Sequence, residues 1–98
     1  MATIDIRRAH TLDKEEAKRR AEKLAKGLEE KIGIRWRWEA DKIRFDAPSG
    51  AAKGASGTVH VDPNDIRVEV DLPLLLRAVK GTVESKINQK LDDLLSKG

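Results

Sequence analysis

The 98-residue chain contains no cysteine and no tyrosine, and its aromatic side chains are two tryptophans and one phenylalanine. The lack of cysteine excludes disulfides, thiolate metal sites and thiol nucleophiles, so the fold has to stand on packing. No stretch approaches the roughly 20 apolar residues of a membrane-spanning helix. The first residues alternate Ile4 and Ile6 with charges instead of forming an apolar signal segment. The simplest expectation is a cytoplasmic protein with no transmembrane segment, which would meet any membrane or apolar particle through a surface patch.

Hydrophobic residues make up 39% of the chain and charged residues 38%, enough for one core under a strongly solvated exterior. A single domain spanning residues 1–98 is expected, burying roughly 65% of its extended-chain surface on folding. The formal charge of +3 arises before residue 47, where 13 Lys and Arg face 10 Asp and Glu. The remaining residues balance at seven of each sign, so the basicity is mild and forms no polycationic tail.

Hydrophobic periodicity sets out the elements. A strand over Thr3–Ala9 places Ile4 and Ile6 on one face. A helix follows, with Leu12 as a staple against Ala17, Asp13 as N-cap, Glu16 completing a capping box and Gly33 as a left-handed C-cap. Ala17, Ala21, Leu24, Leu28 and Ile32 form its apolar stripe, and Gly27 marks either close packing or local softness. Strands over Ile34–Ala40 and Lys42–Ala47 make a hairpin around Asp41, with Trp36, Trp38, Ile43 and Phe45 on the inner face. The Gly-rich, Ala-rich Ser49–Gly57 segment is a connection and lacks the ending of a Walker loop. Strands over Gly57–Val61 and Ile66–Val70 are joined by an Asp62-Pro63-Asn64-Asp65 turn. A C-terminal helix then carries Leu72, Leu76, Val79, Val83, Ile87, Leu91 and Leu94 in one stripe; either it runs unbroken, or Gly81 kinks it or divides it with Thr82 starting the second piece. The expected fold is therefore α+β: a five-stranded, mainly antiparallel sheet in β-α-β-β-β-β-α order, with both helices on one face.

No residue constellation names a reaction. His10 sits at a strand-to-helix junction, where capping and loop hydrogen bonding suffice. His60 points outward with Arg67, and neither histidine has a convergent partner in sequence. No HExxH, EF-hand or Cys/His spacing occurs, so no metal, cofactor or catalytic residue is assigned, and the expectation is a protein that is not an enzyme. The residues best suited to contact are Arg35, Arg37, Arg44 and Arg67 on the outer sheet face, with Leu74 and Ala78 off the stripe of the last helix. They suit a protein partner, including a second copy in a homodimer. Two alternatives use the same residues differently. The basic sheet face, with Lys42, offers phosphate contacts to a nucleic acid, a reading that ranks below protein binding because the tryptophans face inward. A curled sheet would leave a small lipid- or acyl-binding cavity lined by Trp36, Trp38, Phe45, Val59 and Val68.

The order "RRAHTLDKEEAKRRAEKLAKGLEEKIGIRWRW", then "RFDAPSGAAKGASGTVHV", then "IRVEVDLPLLLRAVKGTVESKI" resembles the small polyhydroxyalkanoic acid system proteins, a bacterial family linked to polyester granule metabolism. The resemblance runs from Ile6 to Leu95. It rests on His10 and Leu12 before the first helix, Trp38 before a strand ending near Phe45, Gly57 before the fourth strand, and the Leu72–Ile87 stretch. It implies a non-enzymatic accessory protein that binds a polyhydroxyalkanoate granule or a granule-associated protein, located in the cytoplasm at storage granules. It carries over no catalytic residue.

Overall fold

A computed structural model describes residues 3–48 and 53–96. Five strands, β1 (Ile4–Ala9), β2 (Arg35–Glu39), β3 (Lys42–Asp46), β4 (Ser56–Val61) and β5 (Asp65–Asp71), form one antiparallel sheet in the order β1-β5-β4-β3-β2. Helix α1 (Lys14–Ile32) separates β1 from β2, and a 3-10 helix (Leu74–Val79) leads into α2 (Lys80–Ser96). Four antiparallel steps leave β1 and β2 on opposite edges pointing the same way, so α1 carries the chain across the full width of the sheet. Both helices lie on one face, and the α+β order read from periodicity is the observed one.

Helix α1 starts where its capping chemistry says it should. Asp13 is extended (φ −71°, ψ 169°) and its carboxylate accepts the Glu16 N–H at 2.8 Å. The Glu16 carboxylate does not close the expected reciprocal box; it accepts from Arg20 Nε at 2.7 Å and pairs with Arg19. A charged partner one turn along outcompetes a backbone amide for that carboxylate. Gly33 ends the helix at φ 73°, its N–H returning to the Glu29 carbonyl.

The core lies between this helix layer and the inner sheet face. Ala17, Ala21, Leu24 and Ala25 of α1 share one core with Ile43, Val59 and Val68, the helix packing on β4, β3 and β2, while α2, with Ile87 and Leu91 buried, packs on β1. Full burial of a side chain such as Leu24 or Leu91 contributes about 1.5–3 kcal/mol. Polar groups tie the layers together at their margins. Arg8 reaches from β1 to Asp92 and Asn88 on α2, and the buried Arg20 donates to the Leu94 carbonyl near the α2 C-terminus, where a cation complements the helix dipole.

Three expectations need correction. The C-terminal stripe is not one α-helix: Leu74–Val79 is 3-10, and α2 begins at Lys80, just before Gly81. The tryptophans face α1 as expected but are only half-buried, because β2 is an edge strand and the helix layer covers it incompletely. Their indole N–H groups reach the rim of α1, Trp36 to Glu29 at 2.7 Å and Trp38 to Glu22 at 2.9 Å. The Gly-rich connection is shorter than expected, since β4 already begins at Ser56. Residues 49–52 of that connection lie outside the described residues, and its ends are tied by Ala47 N–H to the Ala55 carbonyl at 2.8 Å.

Candidate binding site

The outer sheet face carries the four arginines singled out in the sequence. The antiparallel register places Arg37, Arg44, Thr58, Glu69 and Asp5 in one row across the sheet, and Glu39, Lys42, His60, Arg67 and Arg7 in the next. Each of the four arginines meets a carboxylate. Arg35 pairs with Asp46 at 3.1 Å, Arg37 with Glu39 at 2.9 Å and Arg44 with Glu39 at 3.8 Å. Arg67 forks onto Asp5 with bonds of 3.0 and 2.7 Å, and this holds the Asp5 carboxyl below the usual carboxylate range. The four arginines are therefore each beside a carboxylate, which lowers the charge they offer a polyanion, although Lys42, His60, Arg67 and Arg7 follow one another along one row. Ion pairing of the arginines weakens the nucleic-acid reading.

The histidines have structural partners. His10 Nδ1 accepts the Leu12 N–H at 3.1 Å, which leaves Nε2 to donate to the Asp62 carbonyl at 3.0 Å, so one ring joins the α1 entry to the β4–β5 turn. His60 Nε2 lies 2.6 Å from Glu69 Oε1 on the outer face. Among the described residues no group of three or more His, Asp or Glu gathers as a set of metal ligands.

Leu74 and Ala78 are both exposed, but on the helix layer, in the 3-10 helix, and the fold does not bring them into the arginine rows. Their neighbour Leu75, which periodicity did not single out, is the most exposed large apolar residue of the segment at 91%, beside Leu74 at 79% and Val79 at 44%. With three residues per turn, Leu76 turns toward the core and Val79, one turn on, lines the space beneath the helix. Arg77, in the last turn of the 3-10 helix, and Lys80, the first residue of α2, follow the leucines of this ridge; the first turn of α2 has no acidic residue, and its dipole disfavours a cation there. Local rules broken at an exposed position mark a segment shaped by something other than stability.

Beneath the ridge lies a cavity of about 350 Å³, between the C-terminal half of α1, the 3-10 helix, α2 and the sheet. Its walls include Leu28, Ile34, Phe45, Val70, Leu72 and Ile87, and its margin carries Lys31, Lys86, Lys90 and Asp93. This is not the cavity expected from sequence. Of the five residues assigned there only Phe45 lines it; Val59 and Val68 are wholly buried in solid core, and Trp36 and Trp38 are bonded to α1. Space opens at this end because the inward positions of β4 and its approach are small. Ala55 is buried there, and a Cβ added to Gly57 would meet Phe45 Cζ at 2.5 Å, so the Phe45 ring occupies the place a side chain would take.

Residues 4–95 match the family model described as "Putative polyhydroxyalkanoic acid system protein". The chain belongs to the polyhydroxyalkanoic acid system protein family. The match takes in both helices and all five strands, so the leucine ridge, the cavity beneath it and the ion-paired sheet face all fall inside the family region. No match was found among curated proteins or among solved structures. No helix among the described residues is long and apolar enough to cross a membrane.

Proposed function

We propose that the protein is a non-enzymatic accessory of polyhydroxyalkanoate metabolism that works in the cytoplasm by binding at a polymer granule, directly or through a granule-associated protein. Family membership supplies the pathway. The observation that carries the binding mode is the exposure of Leu74 and Leu75, 79% and 91%, on one short helix that also carries Arg77 and is followed by Lys80. Two adjacent exposed leucines followed by two cations suit an apolar surface or an apolar patch on a partner. The sheet arginines, each already paired, then serve as a solvated rear face.

The test compares localisation in cells that form granules and in matched cells unable to make polymer. Enrichment at granules in the first, diffuse distribution in the second, and loss of enrichment in a Leu74→Ser, Leu75→Ser double variant would support the reading. Diffuse distribution in both, with no polymer-pathway protein recovered alongside, would sink it. Mass in solution across a concentration series separates this from self-association: a constant monomer mass removes a second copy as the partner of the ridge.

A further inference from the structure

We infer that the cavity under the 3-10 helix is a binding site for a single acyl chain ending in a carboxylate. The inference stands on the geometry of the cavity and does not depend on granule binding.

The size suits one chain. At about 350 Å³ the cavity falls near the lower end of the range, about 300–1,000 Å³, typical of small-molecule sites. The walls specify hydrocarbon. Phe45, Ala55, Val70, Leu72 and Ile87 are buried and present only carbon side chains. A polar ligand placed among them would lose its hydration without compensation, whereas a methylene chain gains from the transfer.

The mouth specifies charge. Lys31 comes from the last turn of α1, and Lys86 and Lys90 stand one turn apart on α2, against the single carboxylate of Asp93. Among the described residues none of these three lysines is ion-paired, in contrast to the four arginines of the outer sheet face. Lysines four apart on a helix repel each other, and a carboxylate lying between them relieves that repulsion. Lys90 also passes close over Gly27 of α1, its Cε only 2.8 Å from where a Cβ on Gly27 would sit, and it contributes to the lining of the cavity. The fourth wall, Leu76 and Val79, belongs to the 3-10 helix, whose hydrogen bonds are the poorest in geometry and the easiest to displace as a chain enters.

Titration of the full chain with decanoate below its micellar range, followed by calorimetry and by backbone amide shifts, tests the assignment. Saturable binding at one site per chain is expected with Kd below about 1 mM. The shifts should be confined to residues at the cavity, among them Ala55, Leu76 and Val83. Decanol, which lacks the charge, and a Lys31→Gln, Lys86→Gln, Lys90→Gln variant titrated with decanoate should each bind about tenfold more weakly, the scale of a few partly exposed ion pairs. Val83→Phe fills the space from within, and Val79→Trp, at a more exposed position that spares the core, fills it from the lid; either variant that remains folded should lose saturable binding. Absence of saturable binding to the folded wild-type chain, or undiminished binding in Val79→Trp, overturns the proposal, and equal affinity for decanol overturns its carboxylate part. Both filling variants retain Leu74 and Leu75, so they should keep granule enrichment while losing decanoate binding, whereas a wild-type chain that is enriched at granules but shows no saturable decanoate binding refutes the acyl site alone.

Discussion

The Phe45 ring lies across Gly57 on the neighbouring strand, and the two residues are direct cross-strand partners in the β3–β4 register. A Cβ at position 57 would sit 2.5 Å from Phe45 Cζ and 2.3 Å from the Glu69 backbone carbonyl oxygen. The ring has some freedom to turn away, but a paired backbone carbonyl in the middle of the sheet does not. Gly57→Ala is therefore expected to destabilise the fold by about 1–3 kcal/mol, the range for overpacking a tight interior. Urea denaturation gives the check, and an unchanged midpoint would show that β4 and β5 separate more easily than the register implies.

Gly27 poses the opposite case. An added Cβ there meets only the far end of the Lys90 side chain, with Cε at 2.8 Å and Nζ at 3.3 Å, and that end swings clear at little cost. What remains is helix propensity, worth about 1 kcal/mol in favour of alanine at a helix interior. Gly27→Ala should raise the denaturation midpoint while displacing the Lys90 ammonium from the cavity margin. A lower midpoint would mean that the close seating of Lys90 on α1 contributes more than the backbone gains.

The carboxylates set the acid limit of stability. A hydrogen bond from Arg67 lowers the pKa of Asp5, one from Arg20 lowers Glu16, the indole N–H of Trp38 lowers Glu22, and Lys14 with Lys18 lowers Asp41. Each group binds its proton more weakly in the folded chain than in the unfolded one. Their contribution is complete above the ordinary carboxylate range, about 4, and is lost as pH falls through the depressed folded values. Lys14 works in reverse: bonding to Asp41 raises its pKa, so its contribution is complete below about 10 and is lost as pH rises through the folded value. For these groups the urea midpoint should hold level between about pH 5 and 9 and fall below about pH 4, with Asp5→Asn and Asp41→Asn flattening the acid limb. A midpoint level down to about pH 2 would show that these exposed pairs contribute nothing measurable.

Alternation and capping made most of the fold legible. Ile4 and Ile6, the run Val59, Val61, Ile66, Val68 and Val70, and the Asp13 cap all stand where period-two and helix-start patterns put them. The site was harder to see because it depends on strand order and on helix type, neither of which is written in local periodicity. The outward direction of Arg35, Arg37, Arg44 and Arg67 follows from alternation, but the carboxylates that neutralise them come partly from neighbouring strands, and only the register brings Asp46 to Arg35. Leu75 escapes a reading at the α-helical 100° per residue because the segment winds at three residues per turn. The cavity was placed at the tryptophans because they are the largest inner residues, whereas it opens where the residues are smallest. Ala55 and Gly57 carry the available signal, but in sequence Ala55 reads as part of a connection and Gly57 as the junction between that connection and a strand.

The β2–β3 hairpin offers the last prediction. Glu39 and Lys42 are paired, so Ala40 and Asp41 alone make the turn, and Ala40 is the only non-glycine residue with positive φ, 56°, among the described residues. The left-handed region crowds Cβ against the following carbonyl and costs an alanine roughly 1–2 kcal/mol, while glycine occupies it freely. Glycine in turn loses more freedom on folding, which offsets about 0.5–1 kcal/mol of the relief. Ala40→Gly should therefore stabilise the protein by about 0.5–1 kcal/mol. The exposed Ala40 side chain contributes no core packing that the change would remove. Asp41 keeps its bonds to Lys14 at 2.9 Å and Lys18 at 3.0 Å, which anchor the turn to the first helical turns of α1 and hold its register. A thermal melt read alongside tryptophan fluorescence is the appropriate check, since Trp36 and Trp38 stand on this hairpin. A higher melting temperature with an unchanged native emission spectrum is the expected result, whereas a shifted native spectrum would mean that the strained turn, and not the Lys14 and Lys18 anchor, sets the angle at which β2 meets α1.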